Sequence, residues 1–436
     1  VPRKAITMGL GTILKAKRII LMAWGEEKAT VIKDIVEGEE NSATPATCLQ
    51  KHPNIEVVVD EGASQELTRV KTPWLVGTCL WPERFIRTAV LWLCRKVDKP
   101  ILKLTYQDYI DNRLGQLLEA TGQTYDMINI QVFNDLQHTI SGWPGGKPNA
   151  DDSTRPERAT PYPKRVLIFS PHPDDDVISM GGTFIRLIAQ GHDVHVAYQT
   201  SGNIAVLDDI VLQTLDTARE CGFVDRYNEV QEIINNKKKG EAEPIELRRL
   251  KGSIRRAEAK AACRQMGLTD PSHVHFLNLP FYETGGVKKG LLTDKDIQIV
   301  VDLLREIKPH QIYAAGDLSD PHGTHRVCIE AVLAAMEVVQ DEEWVKECRL
   351  WLYRGAWQEW DLDMVDMAVP LSPDEVIQKR HAIYRHLSQK DIVPFPGEDK
   401  REFWQRAEER NQNTARLYDK LGMAEYQAIE VFVRLF

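Results

Sequence analysis

The stretch Leu167-Ile168-Phe169-Ser170-Pro171-His172-Pro173-Asp174-Asp175-Asp176 runs from a short apolar segment straight into one imidazole and three carboxylates. The apolar part reads as a buried parallel strand, and a helical pattern over 178–188 follows across Gly181 and Gly182. A divalent metal at the carboxyl end of a strand accounts for that concentration of ligand atoms. The stretch lacks one ligand, which another part of the chain must supply.

Outward from this stretch the order is α/β. A strand over 192–200 follows Gly191, helices cover 208–221 and 254–266, a strand covers 274–277, a helix 293–306, and a further strand Gln311–Ala315. Alternating helices and short apolar strands predict a mostly parallel Rossmann-like sheet flanked by helices. His192 and His195 read as structural or surface histidines, because strand alternation gives them no ligand geometry shared with the acidic loop. The strand at 311–315 ends in Gly316-Asp317-Leu318-Ser319-Asp320-Pro321-His322-Gly323-Thr324-His325, with two histidines three residues apart. Strand ends on the same side of an open α/β sheet meet at the crevice where ligands bind. A His/Asp/His set with an open position is the pattern of a catalytic zinc site. An isolated His-x-x-His is commonly incidental, and a run of aspartates is commonly a solvated loop or helix cap. Their joint placement at two strand ends favours the metal reading by roughly three to one.

A length of 436 residues predicts two domains, or one with a substantial appendage. A net charge of -9 argues against a nucleic-acid wrapper, and the lysines at 237–239 are followed too closely by Glu241 and Glu243 to change that. Seven cysteines without paired spacing read as reduced thiols, and no cysteine-pair zinc motif occurs. With no secretory apolar region and no run long enough to span a bilayer, a cytoplasmic protein is expected. Its expected partner is a small molecule rather than nucleic acid or membrane, and a homo-oligomer is left open.

Toward the start, an apolar strand over 18–24 meets Gly25 and a helix over 27–37, with Lys28 in the helix's first turn. Free backbone N–H groups and an ammonium can together hold a phosphate there. A solvated surface lysine is the plainer reading, and the residues alone give the phosphate role about one chance in five. A strand over 55–60, a helix over 82–97 and a helical pattern over 106–138 follow. Residues 142–148 hold three glycines and two prolines, and 141–163 reads as a linker. The expected division is 1–120, a connection at 121–163, and a second domain at 164–436. Beyond the site, Trp351, Tyr353, Trp357 and Trp360 suit either a sugar ring or a core. Helices are expected over 370–386 and 398–421, with a final strand over 429–435.

Residues 5–11, Gly25-Glu26-Glu27-Lys28-Ala29, Glu37-Gly38 and Ala46-Thr47-Cys48-Leu49-Gln50-Lys51-His52-Pro53 together resemble the C-terminal half of glucosamine-6-phosphate deaminase (isomerase). The lysine of that turn contacts the sugar phosphate in the family, so the resemblance implies phosphate binding by Lys28. The family's acid/base carboxylates and ring-opening histidine lie in the half that would precede residue 1. A partial α/β deaminase-like module is therefore expected, without deaminase chemistry of its own.

His172-Pro173-Asp174-Asp175 with His322-x-x-His325 resembles the zinc-dependent deacetylases of the PIG-L/LmbE-like family, across 164–436. These remove acetyl groups from N-acetylglucosamine moieties in small glycoconjugates or lipids. The resemblance implies His172, Asp175 and His325 as metal ligands, Asp174 as general base and His322 as the group that stabilises the oxyanion. Arg255, Arg256 and Glu258 resemble a recurring helix of the family, and Ser388-Gln389 its late Ser-Gln pair. Where this chain has Asp176 the family usually has Glu, so the shorter carboxylate is expected to change a contact behind the ligands. Asp320, or Asp317, is the expected partner for the second ring nitrogen of His325. Zn2+ is the expected cofactor, with another divalent metal left open. The function expected is a zinc-dependent N-deacetylase acting on an N-acetylated amino sugar or glycoconjugate, with an N-acetylhexosamine phosphate suggested by the first module. The alternatives are a fragment of a glucosamine-6-phosphate deaminase whose catalytic half is missing, and a non-catalytic sugar-binding protein.

Overall fold

Val166, Leu167, Ile168 and Phe169 are all fully buried in the strand Arg165–Ser170. An apolar run without a solvent face needs cover on both sides, and burying each such side chain contributes about 1.5–3 kcal/mol. The computed structural model describes residues 8–223, 227–237, 241–286, 288–318, 323–355, 358–390 and 401–436. It divides into two compact units, Val1–Asn134 and Asp135–Phe436, and the division falls within the helix Tyr125–Thr139.

In the first unit, β1 (Ile19–Ala23) pairs in parallel with β2 (Ile55–Val59), from Ile19 opposite Ile55 to Ala23 opposite Val59. The helix Ala29–Glu37 buries Ile32 and Ile35, and the helix Glu83–Val97 buries Ile86, Ala89, Val90 and Leu93 at helical spacing. Trp74 is buried among the rings of Trp81, Phe85 and Trp92, with centroids 5.4–5.9 Å away. This is the α/β module expected from the sequence.

Among the described residues the second unit holds seven strands: β3 (Arg165–Ser170), β4 (Asp193–Tyr198), β5 (Val274–Phe276), β6 (Gln311–Ala315), β7 (Arg349–Tyr353), β8 (Met367–Leu371) and β9 (Ala428–Arg434). Their order is β5-β4-β3-β6-β7-β9-β8. The first five are mutually parallel, and β9 runs antiparallel between β7 and β8. One face of the sheet packs through Val166, Ile168, Val196, Tyr313 and Trp351 against the helices Asp175–Ala189, Ile245–Met266 and Pro373–Ile383. The other packs through Leu167, Phe169, Ile312 and Leu350 against Asp294–Ile307 and Thr324–Val339. The chain leaves β3 outward to β4 and β5, then returns to lay β6 on the opposite side of β3. The strand order thus reverses between β3 and β6, and such a switch point opens a crevice at the strands' carboxyl ends.

One reading from sequence changes and one left open is narrowed. The helix expected over 370–386 is β8 followed by the helix Pro373–Ile383. Pro370 is tolerated because β8 is the outermost strand, where a missing N–H need not serve a neighbour. Of the aromatic cluster, Trp351 and Tyr353 are buried in the core, and Trp360 is half-buried with the Arg354 guanidinium 3.8 Å over its ring. Trp357 lies outside the described residues. Among the described residues no helix is long and apolar enough to cross a membrane.

The helix Asp175–Ala189 is interrupted at Met180 (φ -132, ψ 25), and the backbone N–H groups of Gly182 and Thr183 turn to the Glu430 carboxylate at 3.0 and 2.7 Å. Thr183 Oγ1 donates to the same carboxylate at 2.6 Å, as does Lys379 Nζ at 2.7 Å. Gly182 leaves room for the Leu371 side chain, whose Cδ1 a Cβ there would meet at 2.5 Å. Lys379 and Glu430 are almost wholly buried, so deleting one charge strands the other. Lys379→Met is expected to cost about 3–5 kcal/mol in a denaturant titration. A loss under about 1 kcal/mol, the range of an exposed pair, would show that Glu430 does not depend on this lysine.

Candidate metal and catalytic centre

The loop after β3 is fixed by backbone-directed bonds before any ligand is considered. Ser170 Oγ donates to the His172 carbonyl at 2.5 Å, and Thr200 Oγ1 and N donate to the Pro171 carbonyl at 2.8 and 3.1 Å. Asp175, first residue of the following helix, accepts from the His172 backbone N–H at 2.8 Å. This draws the His172 ring back over the helix start, with Nδ1 3.0 Å from Asp175 Oδ2.

From the switch point's other side, His325 opens the helix Thr324–Val339 and brings Nε2 to 3.2 Å from the same carboxylate oxygen. Its Nδ1 lies 2.9 Å from the Asp317 backbone carbonyl. A carbonyl only accepts, so Nδ1 carries the proton and Nε2 is left to bind. Of the two expected partners, Asp320 and Asp317, Asp317 stands at this position, through its backbone carbonyl. Asp320 and His322 lie outside the described residues.

The donor atoms of His172, Asp175 and His325 all lie within 4.8 Å of one another. Two ligand atoms on a tetrahedral ion with bonds of about 2.0–2.1 Å stand roughly 3.3 Å apart, close to the 3.0 and 3.2 Å separations from Asp175. Two imidazoles and one carboxylate, with His172 partly open to solvent, are a donor set that fits a divalent transition ion. Burial alone would raise the Asp175 carboxyl, but His325 and His172 hold it well below the usual carboxylate range.

Asp174 is buried beside the triad, and its Oδ1 is 3.0 Å from Arg255 Nη2. Arg255 is itself buried, and its Nε and Nη1 have no hydrogen-bond partner among the described residues. Three residues along the same helix, Glu258 accepts from Ser388 N at 2.6 Å and Ser388 Oγ at 2.7 Å. Burial raises the Glu258 carboxyl against the pull of Arg255 and Ser388. His386, two residues before Ser388, is fully buried with neither ring nitrogen partnered among the described residues. Burial brings its imidazole down to about 4, opposed by the Asp174 charge.

Asp176 points away from the triad. Its Oδ2 accepts from Tyr198 OH at 3.1 Å, and Oδ1 lies 3.2 Å from Ser170 Oγ. Burial pushes this carboxyl up to about 7, with the Tyr198 hydroxyl opposing. The Asp176 backbone N–H also donates to Ser170 Oγ at 3.1 Å. Asp176 thus supports the loop through Ser170.

Lys28 stands in the first unit, exposed at the N-terminus of the helix Ala29–Glu37. The Gly25 N–H of the same turn donates to the Asp60 carboxylate at 3.0 and 3.1 Å. Sequence reasoning missed the pairing of Arg255 with Asp174 and the burial of His386. The available signal was Arg255-x-x-Glu258, two charges on the helix stripe that also carries Ala259, Ala262 and Met266.

The second unit is thus an open α/β sheet with a metal-competent His/Asp/His triad at its switch point. Residues 167–336 match the PIG-L family model, described as GlcNAc-PI de-N-acetylase. The whole chain is 53% identical over 444 residues to a glucosamine-6-phosphate deaminase-like protein of Bacteroides thetaiotaomicron, covering 99% of this chain and 67% of that protein. The chain belongs to this family: a PIG-L/LmbE-like domain preceded by a region homologous to glucosamine-6-phosphate deaminase-like proteins. A further 69-residue alignment, 54% identical, joins it to the glucosamine-6-phosphate deaminase of Lactococcus lactis subsp. cremoris, over 16% of this chain and 29% of that enzyme. Among solved structures, the N,N'-diacetylchitobiose deacetylase from Pyrococcus horikoshii aligns at 20% identity over 62% of this chain and 84% of that one, with a TM-score of 0.40.

Proposed function

We propose that this protein is a zinc-dependent N-deacetylase that hydrolyses the acetamide of an N-acetylated amino sugar, with an N-acetylhexosamine phosphate as the leading substrate. The observation that carries the reading is the convergence of His172, Asp175 and His325 beside an Asp174 that is not needed as a ligand. When bound by those three residues, a divalent ion supplies Lewis acidity toward the acetyl carbonyl and lowers the pKa of water.

The chain's own residues then divide the proton work. Asp174 accepts the proton of the attacking water, and as the C–N bond breaks it delivers that proton to the departing nitrogen, so water and amide become acetate and amine. Arg255 holds the Asp174 carboxylate in place. His322 is assigned to the charge that develops on the carbonyl oxygen, a role resting on the family resemblance of His322-x-x-His325. In the first unit Lys28 is assigned to a sugar phosphate, on the resemblance of its turn and its position at a helix N-terminus. The N-acetylglucosamine-containing substrate in the family's description and the deaminase homology of the first unit both favour an amino sugar.

The test is acetate release by zinc-loaded protein from N-acetylglucosamine 6-phosphate, N-acetylglucosamine and an N-acetylglucosaminyl glycoconjugate. Stoichiometric acetate and free amine are expected, fastest with the phosphate. Zinc-loaded, folded protein that releases acetate from none of the three would remove the reading.

A further inference from the structure

A second group of metal-competent side chains lies at the opposite ends of the strands from the triad. Asp193 and His195 occupy the first and third positions of β4 and share one face of it. His273 ends the short turn Pro271–His273 that leads into β5, the outermost strand on this side of the sheet. The His195 and His273 rings stack with centroids 4.1 Å apart. That stacking sets His195 Nε2 and His273 Nδ1 side by side, 3.4 and 3.6 Å from the same oxygen, Asp193 Oδ1.

We infer that Asp193, His195 and His273 form a second divalent-metal site, one that clamps the start of β4 to the turn before β5. All three donor atoms lie within 4.8 Å of one another. The separations from Asp193 Oδ1 match the roughly 3.3 Å between ligand atoms on a tetrahedral ion with bonds of about 2.0–2.1 Å. Two imidazoles and one carboxylate select a borderline transition ion such as zinc over magnesium or calcium, which take all-oxygen shells. All three side chains are partly exposed, which leaves entry for the ion and room for water.

The groups behind the ligands suit the same assignment. His195 Nδ1 lies 3.1 Å from His275 Nε2, and donation from Nδ1 to His275 leaves Nε2 with its lone pair facing Asp193. His273 Nε2 lies 3.9 Å from an Asp270 carboxylate oxygen, a carboxylate behind a ligating imidazole. His273 Nδ1 is also 3.2 Å from the Val194 carbonyl, so binding exchanges that one hydrogen bond for a metal ligand. β5 is only three residues long, and an ion joining its leading turn to β4 stabilises an edge with little ladder of its own.

The full chain, stripped by chelator, reloaded with zinc and passed through gel filtration, is expected to carry two ions. His195→Gln/His273→Gln should carry one and keep its acetate release. Asp175→Asn/His325→Gln should also carry one, and zinc should raise its thermal midpoint. A triad variant that is folded by circular dichroism and carries no zinc overturns the proposal, whatever the histidine variants do. Wild-type protein with a single ion that survives in the triad variant, and is lost in His195→Gln/His273→Gln, supports this site while sinking the triad as the metal centre.

Discussion

Asp174→Asn is expected to retain one zinc at the triad and to lose about 10²–10⁴-fold in turnover, the usual worth of a positioned general base. Asparagine keeps the shape of the carboxylate and can still accept from Arg255 Nη2, now 3.0 Å from Asp174 Oδ1. What it cannot do is take a proton from water and return it to nitrogen. The proposed ligands are separate atoms on His172, Asp175 and His325, so metal content should not follow activity down. The complication is Arg255, which is buried with two nitrogens unpartnered among the described residues and would lose its nearest carboxylate. Turnover is therefore read beside a denaturation curve and the zinc count. Full-rate Asn protein would reject Asp174 as the base. Slow protein that is folded and metal-loaded would separate proton transfer from metal binding.

The fold was legible wherever one strand's own residues decide it. Val166 to Phe169 can only be a doubly covered strand, and the carboxyl ends of β3 and β6 meet because the strand order reverses between them. His172, Asp175 and His325 could be nominated from two loops on that ground. Legibility failed where a partner arrives from far along the chain without periodic spacing. Arg255 reaches Asp174 across 81 positions, and Glu430 captures the N–H groups of Gly182 and Thr183 across nearly 250. Residues 370–371 read as part of the helix that follows them, whereas they end β8, an edge strand in which Pro370 is tolerated. His195 reads as a structural histidine within its own strand, and its companion His273 approaches only after β4 and β5 pair.

Asp175→Ala is expected to abolish triad metal binding and with it all measurable acetate release. One oxygen, Asp175 Oδ2, stands 3.0 Å from His172 Nδ1 and 3.2 Å from His325 Nε2, and the His172 backbone N–H donates to it at 2.8 Å. Alanine removes the only carboxylate of the proposed ligand set and the group that holds His172 against the helix start. The loss should therefore exceed the roughly 10–100-fold in affinity that deleting an orienting partner outside the ligand set costs. Asp175→Asn separates the two roles. Its amide oxygen can still accept from the His172 N–H, so loop geometry should recover while the charge does not. If Asn restores the thermal midpoint of metal-free protein but not its zinc, the carboxylate acts as ligand and not merely as a brace for the loop. If Ala protein keeps wild-type zinc and wild-type acetate release, Asp175 is not a ligand and the metal centre must be sought elsewhere in the crevice.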